Sequence, residues 1–238
     1  MLLTRHAQSD PALLTRLDPA YWHPAYASVL DNCALPLVAL GEFVTDITYG
    51  PIVTGSRPPP CEDGPLVVHQ GQVAATGVDL RGAIRVAAGG HWDRERARLR
   101  PEDLVLPRSG VASVARNRVS VYLEETPAVV GSFVNRIALA GLDPVFALIC
   151  LKSQVVWSQI HRVVNGVGTP NISFDQIRAL LIPLVAQAVQ REFRQAYLAR
   201  VHAGHLRWLG GVEAGGTAAL HEFRALTRQL DGMALPEA

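Results

Sequence analysis

The sequence predicts an α+β fold: one globular domain with a β-rich centre, followed by a C-terminal long-helix arm of coiled-coil character. Three observations carry that prediction. Residues 65–140 hold short β-branched runs separated by Gly, Pro and charged turns, which is the pattern of strands and tight connections. Residues 144–164 and 185–230 return to apolar spacings of three and four, the helical period. The chain has 238 residues, 49% apolar and 18% charged, which is ample for a core and too apolar for disorder.

In chain order, residues 1–36 read as an N-terminal arm. Asp18-Pro19 and His23-Pro24 punctuate it, Tyr21, Trp22 and Tyr26 give it apolar side chains to dock with, and the spacing allows a helix over 24–33. A globular domain over 37–183 follows. It opens with a helix-like LGEFV that runs into the β-branched VTDIT, then meets a Pro/Gly-rich loop over 50–64. Strands are expected at Leu66–His69, Gly82–Val86, Leu104–Pro107, Ser120–Leu123 and Val134–Ile137. Asp143-Pro144 opens a helix through Val164, and Asn165-Gly166 closes it. Ser173 and Gln176 form a capping box for a short helix ending before Pro183. Residues 184–238 make the helical arm. Val189, Phe193, Tyr197 and Val201 form one stripe, and Leu220, Phe223 and Leu230 another. The glycines of 210–216 act as a hinge between them, so the arm is either a hairpin or one long interrupted helix.

Several chemistries lack their residues. The three cysteines, Cys33, Cys61 and Cys150, form no CxxC pair and read as reduced, so no zinc knuckle or disulfide framework is expected. No GxSxG, HExxH or dinucleotide glycine fingerprint occurs. Gly210–Thr217 has the spacing of a phosphate loop but Gly216 stands where the lysine belongs. His202 and His205 read as surface histidines. The N-terminus carries no apolar signal core and no stretch reaches membrane-spanning length, so the chain reads as soluble and cytoplasmic.

Charge is uneven beneath a net of +1. Residues 1–64 carry three Arg against seven acids, whereas 81–118 carry nine Arg against four. Lys152 is the sole lysine. Arg94, Arg96, Arg98 and Arg100 alternate, so an extended 94–100 would place them on one face opposite Glu95, Ala97 and Leu99. Arg81, Arg85, Arg108, Arg116 and Arg118 flank the neighbouring turns. Such a face fits a phosphate backbone. The same pattern also suits a solvated edge that blocks aggregation.

The order of segments resembles the target-recognition half of the specificity (S) subunit of type I restriction–modification systems. The matching pieces are LVALGEFVTDITYG (37–50), PLVVHQGQVAATGVDL (65–80), EDLVLPRSGVASVARNR (102–118), the helix from Pro144 with Lys152-Ser153, NISFDQIRALLIPL (171–184), and the long helix from Val185 with Gln187 and Gln190. The resemblance implies a target-recognition domain over 37–183 and a spacer and dimerisation arm over 184–238. It implies a non-catalytic, cofactor-free and metal-free bacterial protein that binds double-stranded DNA and directs a DNA methyltransferase subunit, with or without a restriction/translocase subunit, on the nucleoid. Arg94, Arg96, Arg98, Arg116 and Arg118 then stand as phosphate contacts, with Arg81 and Arg85 as further DNA-binding residues. Tyr49, Gln70, Gln72, Arg108, Ser109, Asn117, Thr169 and Asn171 stand as base-reading residues in loops. One recognition set where the family carries two implies a homodimer, with Val189, Phe193, Tyr197, Val201, Leu220, Phe223 and Leu230 as its contacts. Two other readings stay open: a protein-interaction module that does not bind DNA, and a metal-dependent nuclease using distant carboxylates.

Overall fold

The computed structural model describes residues 24–52, 59, 61–110, 116–163 and 171–235, and the structural statements that follow concern those residues. Helix α1 (Pro24–Asp31) precedes the strands β1 (Leu37–Ala39), β2 (Val44–Tyr49), β3 (Leu66–Val68), β4 (Leu104–Pro107), β5 (Ser120–Val121), β6 (Ala128–Val130) and β7 (Val134–Leu139). Then come α2 (Pro144–Lys152), α3 (Gln154–Val163), α4 (Phe174–Arg178), β8 (Leu181–Pro183), α5 (Gln187–Ala196), a π-helical stretch Tyr197–His202, α6 (Ala203–Leu209) and α7 (Glu213–Ala234).

The central sheet is antiparallel in the order β2-β7-β4-β5. Alternation along its strands feeds two cores. Leu104, Leu106 and Ile137 join a helical core, while Val105 and Val134 join a second core with Val67, Val68, Ala128 and Val129. That second side is built on β3 and β6, which pair in parallel. On the helical side lies α2, whose residues Val145–Leu151 have no solvent exposure. Its start is fixed locally: the Asp143 carboxylate accepts from the N–H groups of Val145 and Phe146, and Pro144 needs no such partner. β1 pairs with β8 and holds residues 37–39 to 181–183.

The C-terminal segments form a helical hairpin packed on this domain. Phe193 meets Phe146 of α2 at 5.7 Å between rings, and Tyr197 meets Phe223 of α7 at 5.3 Å. The two limbs touch through glycines. A Cβ on Gly215 would lie 2.7 Å from the Gly204 carbonyl oxygen, so only glycine permits this approach. At the far end the Ala34 N–H donates to the Ala234 carbonyl at 2.7 Å.

Several expectations need correcting. The helix from Pro144 is interrupted at Ser153, whose hydroxyl donates to the Cys150 carbonyl and receives the Val156 N–H, so one helix ends and another starts. Gly82–Val86 is no strand; Arg85 makes a single bridge to Leu66, and Gly82 adopts φ +70°. The hinge is shorter than 210–216, because Gly215 and Gly216 lie inside α7. His205 is fully buried rather than a surface residue. The stripe assigned to dimerisation is core of this same chain: Phe193, Tyr197, Val201, Phe223 and Leu230 are at most 3% exposed, with Val189 and Leu220 half-buried. The reason is the turn at 210–212, which lets α7 return and cover the face that an extended arm would have left open. All three cysteines are free.

Candidate nucleic-acid interface

β4 leaves the central sheet at Pro107 at the end where β2 finishes with Tyr49, since both Leu106 and Tyr49 pair with Asn135. The loop Arg108-Ser109-Gly110 starts there and is fastened on several sides. Arg108 N–H donates to Phe133 O at 2.9 Å, Ile172 N–H donates to Arg108 O at 3.1 Å, and Ser109 bridges to Asn171. Gln70 Nε2 donates to Ser109 O at 2.7 Å. The Arg108 guanidinium lies over the Tyr49 ring, 4.2 Å from its centroid, and the Phe174 ring meets Tyr49 at 5.7 Å between centroids, tilted by 47°. Five predicted residues, Tyr49, Gln70, Arg108, Ser109 and Asn171, thus meet at one end of the sheet.

The Tyr49 ring holds the Arg108 guanidinium by a cation–π contact. No hydrogen bond joins its guanidinium to another described residue, and a guanidinium carries several in-plane N–H donors. Beside it, Tyr49, Ile52, Arg94, Arg96 and Phe174 line a groove of about 520 Å³. The expected extended run at 94–100 is instead a 3₁₀ turn over Glu95–Ala97 followed by an extended stretch. Ala97 and Leu99 are buried, and Arg94, Arg96, Arg98 and Arg100 remain exposed. Arg136, buried in β7, donates from Nε to Arg96 O at 3.1 Å and pairs with Asp103 and Asp46. The sheet therefore holds the arginine strip by its backbone.

The remaining predicted residues are more occupied. Arg98 makes a bidentate pair with buried Asp93, both contacts 2.7 Å. Arg94 bonds to His91 O and Nδ1. Arg85 donates to Gly64 O. Arg81 grips Asp79 with two 2.9 Å contacts, lies over Trp208 at 4.4 Å and donates to Leu209 O, so it straps the domain to α6. Gln72 Oε1 caps the turn 70–72 by receiving His69 N–H. Asn117, in the left-handed region at φ +48°, donates to Leu151 O at 3.0 Å. Arg116 and Arg118 sit with it beside Lys152. Thr169 lies outside the described residues.

Sequence reading passed over Phe133, Phe174 and Arg136. Phe133 is 58% exposed next to the Arg108 loop. The Ser173 capping box already placed Phe174 at a helix start. Arg136 carried a signal too: a charge inside the apolar run Val134–Leu139. Among the described residues no group of three or more His, Cys, Asp or Glu is placed to hold a metal ion, and no helix is long and apolar enough to cross a membrane.

The HsdS subunit from Thermoanaerobacter tengcongensis matches this structure at a TM-score of 0.50 and 12% identity, over 90% of this chain and 50% of that one. The fold resembles that of an HsdS domain. A chain from a type I R-M system assembly aligns at 0.49 and 15% identity, over 88% of this chain and 50% of its own. The type I restriction-modification S subunit from M. genitalium aligns at 0.47 and 17%, over 74% and 40%. The chain thus spans about half the length of these HsdS-type structures. Neither a family model nor a curated protein matches the sequence.

Proposed function

We propose that this chain is a sequence-specific double-stranded DNA-binding specificity subunit that directs a DNA methyltransferase, with or without a restriction subunit, and has no catalysis of its own. The observation that carries the reading is the Arg108 guanidinium, placed over Tyr49 with no hydrogen bond to another described residue, beside the Arg94 and Arg96 groove. A guanidinium held flat offers two parallel N–H donors, the match for guanine O6 and N7 in a major groove. Exposed arginines alongside would contact phosphates and set the register. The HsdS fold supports the same role. A two-part site needs two recognition domains, and we assign the second to another copy of the chain, joined through a surface other than the buried hairpin stripe.

The test is binding to a randomised duplex pool, followed by titration of the selected sequence. Arg108→Ala should relax discrimination at one base pair by about 1–3 kcal/mol while leaving non-specific affinity nearly intact. A wild-type chain showing no salt-dependent binding to any duplex, alone or with a methyltransferase subunit, overturns the reading. Light scattering of the complex with that subunit reports the copy number.

A further inference from the structure

The connection between β4 and β5 carries a second basic cluster, away from Tyr49. Arg116, Arg118, Lys152 of α2 and Arg224 of α7 line one cavity of about 500 Å³, together with Asn117 and Phe223. No carboxylate lines it. Among the described residues none of the three arginines makes an ion pair, and residues 111–115 of the same connection contain no Asp or Glu. Elsewhere Arg98 pairs with Asp93, and the grooves lined by Arg85 and Arg98 and by Arg94 and Arg96 each include a carboxylate, Asp93 in the first and Glu95 in the second. Here three arginines and a lysine converge with no carboxylate in the lining.

Lys152 adds a group held in an unusual setting. Its Nζ donates to Asn117 O at 2.6 Å and lies 5.5 Å from the Phe223 ring centre. Desolvation, reinforced by repulsion from Arg118, lowers its pKa to about 7. Neither a backbone carbonyl nor a ring face neutralises an ammonium as an anion does. Arginines supply planar forks and the lysine a point charge, a donor set suited to phosphate oxygens.

We propose that Arg116, Arg118, Lys152 and Arg224 form a phosphate-binding site at the junction of the recognition domain with the helical hairpin. The bound group is a phosphate, either of a nucleic-acid backbone or of a free phosphate compound. Its position has a consequence: a phosphate there contacts the β4–β5 connection, α2 and α7 at once. Occupancy therefore ties the hairpin to the loop that begins at Arg108. The site stands independently of the DNA-reading role of Arg108.

The test measures thermal unfolding of the full chain with inorganic phosphate and with pyrophosphate against chloride at equal ionic strength. At tenfold excess over the dissociation constant the wild type should gain about 4 °C. Arg118→Gln and Arg224→Gln should lose that gain. Arg228→Gln, a neighbouring exposed position on α7 outside the cavity, should keep it, which separates binding from the general stabilisation that phosphate gives by exclusion. Arg224 is exposed, so its variant should fold even if one at Lys152 does not. A duplex-DNA titration identifies the source. If Arg224→Gln lowers the salt slope by about one unit, the phosphate belongs to the DNA backbone. If the slope is unchanged but the phosphate gain is lost, it belongs to a free compound. Equal shifts in wild type, Arg118→Gln, Arg224→Gln and Arg228→Gln overturn the proposal.

Discussion

Arg96 and Arg98 are two residues apart and both exposed, yet different contacts hold them. Arg98 is locked on Asp93, whose side chain has no solvent exposure, and the Arg98 hydrogen bond is the main cause keeping that carboxyl below its ordinary range. Arg96 is held through its carbonyl, leaving the guanidinium without a described partner. We expect Arg98→Ala to cost about 1–3 kcal/mol in urea unfolding because it strands a buried carboxylate. Arg96→Ala should leave stability within about 0.5 kcal/mol and reduce the salt slope of DNA binding by about one. Composition located this arginine strip but not which members were engaged. The partners of Arg81, Arg85 and Arg98 depend on how turns fold back, which spacing alone leaves open. His205 was missed for a related reason, since its partners lie far along the chain. Thr76 Oγ1 sits 3.0 Å from Nδ1, Val78 O sits 3.2 Å from Nε2, and a Cβ on Gly77 would overlap the ring. Burial holds its pKa below the ordinary 6.5, so the folded state favours the neutral ring. That stability is complete above pH 6.5 and is lost as pH falls toward the lowered value. The urea midpoint should therefore drop between pH 7.5 and 5. His205→Gln should shrink that drop and cost about 1–3 kcal/mol at pH 7.5.

Among elements, those specified by neighbours in sequence were legible. The capping box of Ser173 and Gln176 opens α4 as read, and Leu104–Pro107 is β4. Elements that exist only through distant pairing were not. β6 is three residues long and pairs in parallel with β3, and β8 needs β1 beside it. The amphipathic period of the arm was equally visible, but it cannot tell a second copy from the chain's own core. Burial decides in favour of the core. Phe193→Glu, which on the dimer scheme would release folded monomers, should instead destabilise the chain by about 4 kcal/mol or more, seen as loss of the cooperative melt. Gly215→Ala should cost about 1–3 kcal/mol by forcing α6 and α7 apart.

At the scale of the whole molecule, one sheet separates two cores and presents its connecting loops at one end. Residues 108–110 are fastened to the turn 70–72 by Gln70 and to residues 171–172 beyond α3, so each side of the sheet supports the loop. The other end of the fold is simpler. Ala34 and Ala234 are joined by a backbone hydrogen bond, and α1 spans only about 12 Å from residue 24 to residue 31. A short linker can therefore join residues 235 and 24, and the contacts of this architecture should form without the native chain order. A circular permutant running from Leu235 through about six Gly/Ser residues into Pro24, with new termini between the exposed Ala87 and Ala88, should fold. Its melting temperature should fall within a few degrees of the parent's, and a permutant that gives no cooperative melt would show that the order of synthesis matters more than the contacts.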